Sequence, residues 1–233
     1  MTARLLRRLA LGVALASLTS VVGCAAETED PEAAAADEAL TGRVLKAGEC
    51  AVTAPNRSHV AGVYDAALNG CFIARGNETG DAMIGRAIAI LTNPSEIGGA
   101  THPGGTKMFA SFKANAPQGT LAGGGTFVYD ARVGLDIVGP FDAKGTLRFS
   151  TQGTATGGVL LVVTNTTSIG ALGVNPVQAN GLEFIVRFTP AQNGVVITGS
   201  VKVTLVSQKD SVGQVSMVAP EIVSWLSGKL GAR

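Results

Sequence analysis

The segment TFVYDARVGLDIV, residues 126–138, carries the clearest alternation of apolar and polar side chains in this chain of 233 residues. One face would carry Phe127, Tyr129, Ala131, Val133, Leu135 and Ile137, and the other face Thr126, Asp130, Arg132 and Asp136. A repeat of two residues places successive side chains on opposite faces of a β-strand. We therefore predict a long, half-buried antiparallel strand here, with a bend at Gly134.

Four segments that follow this strand also have strand-like patterns bounded by turn residues. They are Thr146–Thr151, Val159–Thr164, Leu182–Phe188 and Val195–Val206. The second of these is apolar from Val159 to Val163, which predicts a central strand covered on both faces. Residues 190–194, PAQNG, join the last two segments, and this short Asn-Gly-containing connection predicts a hairpin.

The first half of the chain is less regular, and its strand candidates are weaker. They are Gly42–Val52, Val63–Arg75, Met83–Thr92 and Thr106–Lys113. The third candidate has a helical alternative, because Ala87 and Ala89 are poor strand formers.

The last part of the chain has the spacing of a helix, over residues 220–230. Ile222, Leu226 and Leu230 repeat at intervals of four and share one face, with Val223 and Trp225 beside them. Pro220 would stand in the first turn, where a missing N–H is tolerated. We predict that this amphipathic helix packs on the sheet and covers an edge or a barrel mouth. The alternative is a helix that binds a partner or a membrane surface.

Composition supports the same fold class. The chain has 31 Gly and 9 Pro, many Val and Thr, and few segments of the residue types that build surface helices. We predict a single all-β domain over residues 40–233, mostly antiparallel and sandwich or barrel-like, with the C-terminal helix. Its 15 basic and 11 acidic residues are spread along the chain, so the sequence lacks the basic stripe expected of a nucleic-acid-binding protein.

The first 24 residues carry an export signal. Arg4, Arg7 and Arg8 precede an apolar run, Leu9–Val22, that is shorter than the roughly 20 residues needed to span a membrane. Cys24 follows Val-Val-Gly, and the whole segment resembles the signal of bacterial lipoproteins. The resemblance implies that residues 1–23 are removed and that Cys24 is lipidated, with palmitate among the attached chains.

Residues 24–39 follow as the lipidated cysteine and an acidic, Ala-rich segment with six acidic side chains and no basic one. A segment without large apolar side chains cannot offset its ordering entropy, so we predict a flexible tether. Ala25, rather than aspartate, follows Cys24. By resemblance to the lipoprotein sorting pattern, this implies an anchor in the outer membrane of the cell envelope, facing the periplasm or the cell surface.

Cys50 and Cys71 remain after Cys24 is assigned to the lipid. Export places them in an oxidising compartment, and we predict that they form a disulfide. A pair of reactive or metal-binding thiols is the alternative, but no CxxC spacing or His-rich cluster accompanies them.

Chemical motifs are scarce. The two histidines, His59 and His102, lie in polar, turn-like stretches and are predicted to be surface loop residues. Ser58 or Ser111 could meet either histidine in space, although no nucleophile motif frames them. The sequence therefore predicts no catalytic residue, no metal ligand and no cofactor site.

Three functions fit these observations. The first is a non-catalytic, lipid-anchored envelope protein with a structural role or an unknown envelope protein as partner. The second is a carrier of an apolar ligand such as a lipid, inside a barrel or curved sheet, and the third is an enzyme of unidentified type. An apolar cavity above roughly 300 Å³ favours the carrier, an exposed apolar patch favours the interaction protein, and His, Ser and acidic side chains meeting in a cleft favour the enzyme.

Overall fold

A computed structural model describes residues 42–53, 58–60, 62–115, 118, 125–136, 142–171, 174–206 and 215–231. Its strands are β1 Ser58–Val60, β2 Val63–Ile73, β3 Phe109–Ala114, β4 Thr126–Asp136, β5 Asp142–Gly153, β6 Val159–Asn165, β7 Ile169–Ala171, β8 Val174–Ala191 and β9 Gly194–Leu205. Its helices are α1 Gly80–Leu91, α2 Pro94–Gly98 and α3 Val215–Leu230, with a 3-10 turn at Ala47–Glu49. The predicted signal, Cys24, the tether and Ile137 lie outside the described residues, so those assignments stay predictions.

The described strands form one sheet in the order β1-β2-β9-β8-β6-β5-β4-β3, with β7 pairing with β5 and β8. Every pairing is antiparallel. The predicted mostly antiparallel β architecture with a C-terminal helix is confirmed. Helices α1 and α3 share the main apolar core with one face of this sheet, which we call the inner face. The opposite face is the outer face.

The predicted alternation is confirmed in the strands that build the inner face. In β4, Tyr129, Ala131 and Val133 are buried and Arg132 is exposed, while the side chain of Leu135 is outside the description. The alternate apolar residues of β8 and β9 are buried as well, and Ala191 pairs with Gly194 at the predicted hairpin.

The prediction for β6 is wrong in one respect. Its side chains alternate between buried and half-buried, so only the inner face is fully covered. Leu160 and Val162 lie on the partly exposed outer face. An unbroken apolar run identifies a strand interior to the sheet, but it does not reveal how much of the outer face is covered.

Met83–Thr92 belongs to a helix, so the strand prediction for that segment is wrong and its helical alternative is correct. Thr79 caps α1, since its side chain accepts a hydrogen bond from the Ala82 N–H. The buried residues of the helix repeat at helical spacing: Met83, Ile84, Ala87, Ile88 and Leu91. Alanine is the best helix former, and Ala82, Ala87 and Ala89 all lie in this helix.

The first turn of α1 packs closely on the β8–β9 hairpin. A Cβ atom at Gly80 would lie 2.3 Å from the Gly194 carbonyl oxygen and 2.6 Å from that of Ala191. Only glycine allows this approach, which places α1 against the end of the sheet.

Gly42–Val52 is not a strand, which corrects the prediction for that segment. It contains the 3-10 turn, and its residues Leu45 and Cys50 pack on the outer face, where the predicted disulfide joins Cys50 to Cys71 of β2 with a Cα–Cα distance of 4.5 Å. The Asn193 side chain accepts a hydrogen bond from the Leu45 N–H and donates one to the Leu45 carbonyl, at 2.7 and 2.9 Å. These contacts satisfy the backbone N–H and carbonyl of Leu45 without strand pairing.

Helix α3 begins at Val215, five residues before the predicted start, so Pro220 stands inside the helix. Proline lacks an N–H and disfavours a helix interior, which is why the sequence suggested a start at Pro220. The predicted packing on the sheet is present: Val223, Leu226 and Leu230 are buried in the main core. None of the helices that the structure describes is long and apolar enough to cross a membrane.

Candidate apolar binding cavity

An apolar cavity of about 90 Å³ lies between the inner face of the sheet and the helices. Among the residues that the structure describes, those that line it all have apolar or aromatic side chains: Leu91, Ile97, Ala100, Phe109, Leu147, Phe149, Leu161, Val163, Leu182, Phe184, Val201, Ile222 and Trp225. A buried water needs two to four polar partners, and this lining supplies few. The cavity therefore favours an apolar occupant over water.

One row of directly paired residues forms the floor of the cavity. Phe149 of β5 pairs with Val163 of β6, which pairs with Phe184 of β8, which pairs with Val201 of β9. Residues in direct register point to the same face of a sheet, so these four side chains stand side by side. The floor is a consequence of the alternation that the sequence already shows.

Aromatic contacts hold one end of this floor. Tyr129 of β4 stacks on Phe149 with ring centroids 4.9 Å apart, and Phe112 meets the edge of Phe149 at 6.2 Å. The Tyr129 hydroxyl donates a hydrogen bond to the Leu91 carbonyl at 3.0 Å. Burial raises the pKa of Tyr129, so the phenol keeps its proton and remains a donor. This bond ties the end of α1 to the sheet beside the cavity.

The roof comes from α2, from the residues that follow it, and from α3. Ile97 and Ala100 are buried there, whereas Ile222 and Trp225 of α3 are half-buried. Leu182 of β8 is half-buried as well. The three half-buried residues mark the side on which the lining approaches solvent, and we call them the cavity mouth.

A buried amide positions Leu182 at the cavity mouth. Asn165 has no exposed surface and accepts a hydrogen bond from the Leu182 N–H at 2.7 Å. Its amide nitrogen donates to the carbonyls of Thr167 and Gln178, at 2.9 and 2.6 Å. These bonds span a register shift in β8 between Val177 and Leu182, where the ladder alone would leave backbone groups unpaired.

A second, polar pocket of about 410 Å³ lies outside the cavity mouth. It is lined by Gly99, Thr101, His102, Pro103, Glu221, Ser224, Trp225, Gly228 and Lys229. Nδ1 of His102 lies 2.5 Å from Oε2 of Glu221, and the two side chains are 23% and 24% exposed. Nζ of Lys229 lies 2.9 Å from Oε2 of Glu96 and 5.9 Å from the centre of the Trp225 ring.

His102 lies in a loop, as predicted, but it is partly buried and paired with Glu221, which the sequence did not predict. The two residues are 119 positions apart, and no sequence signal links them. Ser224 lines the same pocket, whereas Ser111 lies exposed on β3 and the side chains of Ser58 and His59 are outside the description.

The serine that shares this pocket with His102 is therefore one that the sequence analysis did not name. Glu221 and Ser224 are three apart on a helix and share a face, which is the one relationship that their spacing predicts. Within the described part of the chain, no three His, Cys, Asp or Glu side chains are grouped as a metal site.

No family model and no curated protein matches this chain. A STAR-related lipid transfer protein fragment from Xanthomonas axonopodis is similar in structure, with 9% sequence identity and a TM-score of 0.46, over 77% of this chain and 98% of that chain. Protein Ms6760 from Mycobacterium smegmatis has 15% identity and a TM-score of 0.35, over 77% and 94% of the two chains. Likenesses of this size carry no argument about function.

Proposed function

We propose that this protein binds a small apolar ligand, or the apolar end of a larger one such as an acyl chain, in the cavity under α3. The observation that supports this proposal is the wholly apolar lining combined with the half-buried cavity mouth. Burying apolar surface stabilises a complex by about 0.8 kcal/mol for each CH₂ group. No polar side chain in the lining has to lose its water when such a group enters.

The volume limits the ligand. About 90 Å³ is well below the 300 Å³ or more of typical small-molecule sites. A whole lipid therefore does not fit the cavity as it stands, whereas a short segment of a chain does. A longer segment requires Ile222 and Trp225 of α3 to move outward, and these are the roof residues that are already half-buried.

An interaction role has less support. The large apolar side chains that are exposed among the described residues are Val44 and Val206. Isolated apolar residues are normal on a protein surface, whereas a docking surface is a contiguous patch. The buried apolar lining is the stronger functional feature of this molecule.

Cavity filling tests the proposal. Ala100→Leu adds three carbons to a buried lining position, and Ala89→Leu makes the same change at an exposed position of α1. The background is Cys24→Ala, so that no attached lipid competes. Decane, whose ten carbons require the outward movement of Ile222 and Trp225, should bind to the Cys24→Ala and Ala89→Leu proteins and change their Trp225 fluorescence. It should bind at least tenfold less tightly to Ala100→Leu. Equal affinity in all three proteins would show that the cavity is not the binding site.

We further propose that Cys24 anchors the protein to the outer membrane through attached lipid, which places the cavity within reach of membrane lipids. The motif around Cys24 supports this anchor. The intact protein should partition into a detergent phase, and Cys24→Ala should partition into the aqueous phase. A Cys24→Ala protein that still enters the detergent phase after signal removal would contradict lipid anchoring.

A further inference from the structure

The apolar cavity and the polar pocket meet at Trp225, which lines both of them. In two places along the chain, one of two adjacent residues lines the pocket and the other lines the cavity. Gly99 lines the pocket and Ala100 the cavity, and Glu221 lines the pocket and Ile222 the cavity. A single ligand that occupies both spaces would therefore have to pass Trp225.

The polar pocket offers both donors and acceptors. Glu221 supplies carboxylate oxygens, Lys229 supplies an ammonium group, and Thr101 and Ser224 supply hydroxyls that act in either role. A group that both donates and accepts hydrogen bonds is the best match for such a set.

The charges in and around the pocket disfavour an anion. The Lys229 ammonium is paired with Glu96, and Glu221 is paired with His102. With His102 neutral the four groups carry a net negative charge, and with His102 protonated they carry none. Neither state leaves the positive excess that would draw a carboxylate or a phosphate to this pocket.

Gly228 leaves space in the pocket. A Cβ atom at this position would meet nothing within 4 Å, although the residue stands inside α3. Glycine in a helix interior costs roughly 0.5–1 kcal/mol relative to alanine. A side chain at position 228 would project into open space on the pocket side of the helix.

We propose that the polar pocket binds the headgroup of a single-chain amphiphile whose apolar chain end occupies the cavity, and that this headgroup is uncharged and hydroxyl-bearing, as in a monoacylglycerol. The proposal rests on the apolar binding proposed above. The hydroxyl groups of this headgroup donate hydrogen bonds to Glu221 and accept them from Lys229, while the alkyl chain of the ligand passes Trp225 into the cavity.

Three probes with the same chain test this inference in the Cys24→Ala protein: monodecanoylglycerol, decanoate and decane. Trp225 is the single tryptophan of the chain and stands between the two spaces, so its fluorescence follows every titration. Monodecanoylglycerol should bind at least tenfold more tightly than decanoate or decane.

Gly228→Leu blocks the pocket with a side chain that meets no neighbour at its Cβ, and Gly85→Leu, the same change at an exposed glycine of α1, is the matched control. Gly228→Leu should remove the tenfold advantage of monodecanoylglycerol and leave the decane affinity within twofold. Gly85→Leu should keep the advantage. Each of the two variants replaces a glycine inside a helix by a better helix former, so a loss of binding does not come from unfolding.

The possible failures are distinguishable. Absence of binding by all three probes would contradict both proposals, that of apolar binding in the cavity and that of headgroup binding in the polar pocket. Decane binding without a monodecanoylglycerol advantage would overturn the headgroup pocket alone. Tighter binding of decanoate than of monodecanoylglycerol would overturn the uncharged headgroup, and an unchanged preference in Gly228→Leu would place the headgroup elsewhere.

Discussion

On its inner face the sheet carries the large apolar core covered by α1 and α3, whereas on its outer face it carries a small cluster of Leu45, Cys71, Ala191 and Val196. The inner face is held mainly by buried apolar surface, with the hydrogen bond from Tyr129 to Leu91 beside it, and it still leaves a cavity beneath its helices. The outer cluster buries little surface and is held by the Cys50–Cys71 disulfide and the Asn193 hydrogen bonds.

The difference separates two ways of covering a sheet. A large apolar face tolerates an unfilled space, because the remaining contacts still stabilise the fold by many kcal/mol. A small cluster has no such reserve and depends on a covalent link or on satisfied backbone groups. Binding capacity is therefore expected on the inner face, and substitutions on the two faces should act differently.

The largest effect is expected from an inner-face truncation. Phe188→Ala removes a side chain that is 1% exposed in the main core, and it should lower the free energy of unfolding by about 3–5 kcal/mol. Val206→Ala, at a residue that is 66% exposed, should change it by less than about 0.5 kcal/mol. Urea unfolding of both variants checks this, and similar losses would contradict the assignment of the inner face.

The disulfide should have the next largest effect, and on the outer face only. Replacing Cys50 and Cys71 by serine opens a covalent loop with a sequence separation of 21 and should cost about 3 kcal/mol of stability. Affinity for decane should stay unchanged, because the disulfide itself lies on the face opposite the cavity. A large loss of affinity for decane would show that the outer face contributes to binding in the cavity. Thiol labelling of the denatured, unreduced Cys24→Ala protein should find no free cysteine.

The buried amide at the cavity mouth should have an intermediate effect. Asn165→Ala leaves the Leu182 N–H and the Thr167 and Gln178 carbonyls without that partner, and it should cost about 1–3 kcal/mol. Asn175→Ala, at an exposed position of the same sheet, is the control and should cost less than about 0.5 kcal/mol. Because Leu182 lines the cavity, decane binding should also weaken in Asn165→Ala. A loss of stability with unchanged decane binding would contradict the proposal that Asn165 positions Leu182 for binding.

The smallest effect is a gain. Gly228→Ala should raise the free energy of unfolding by roughly 0.5–1 kcal/mol, because alanine favours a helix and a Cβ there meets nothing within 4 Å. Gly80→Ala should instead destabilise the fold, because its Cβ would lie 2.3 Å from the Gly194 carbonyl oxygen. Thermal unfolding of the two variants checks the opposite signs. A loss of stability in Gly228→Ala would mean that the space beside α3 is not open.

Local pattern was sufficient for much of the sheet. Alternation in Thr126–Asp136 and Leu182–Phe188 identified buried and exposed side chains because a strand repeats every two residues wherever it lies. The pairwise count of Cys50 and Cys71 led to the disulfide that the structure contains. The local sequence pattern was insufficient for α1, because its apolar residues fit both a strand and a helix. It also misplaced the start of α3, because the preference of proline for the first turn of a helix does not hold at Pro220.

The chain alone thus specified which side chains of β4, β5, β8 and β9 face inward, since that depends on neighbours in sequence. The cavity depends on the gap that remains between the sheet and the helices after they pack. These elements come from segments that are far apart in sequence, so no local sequence pattern predicts the gap. The same holds for the pair of His102 and Glu221, which tertiary packing brings to 2.5 Å across 119 positions. An unfilled volume is a property of how surfaces fit together, and it exists only after the sheet and the helices have packed.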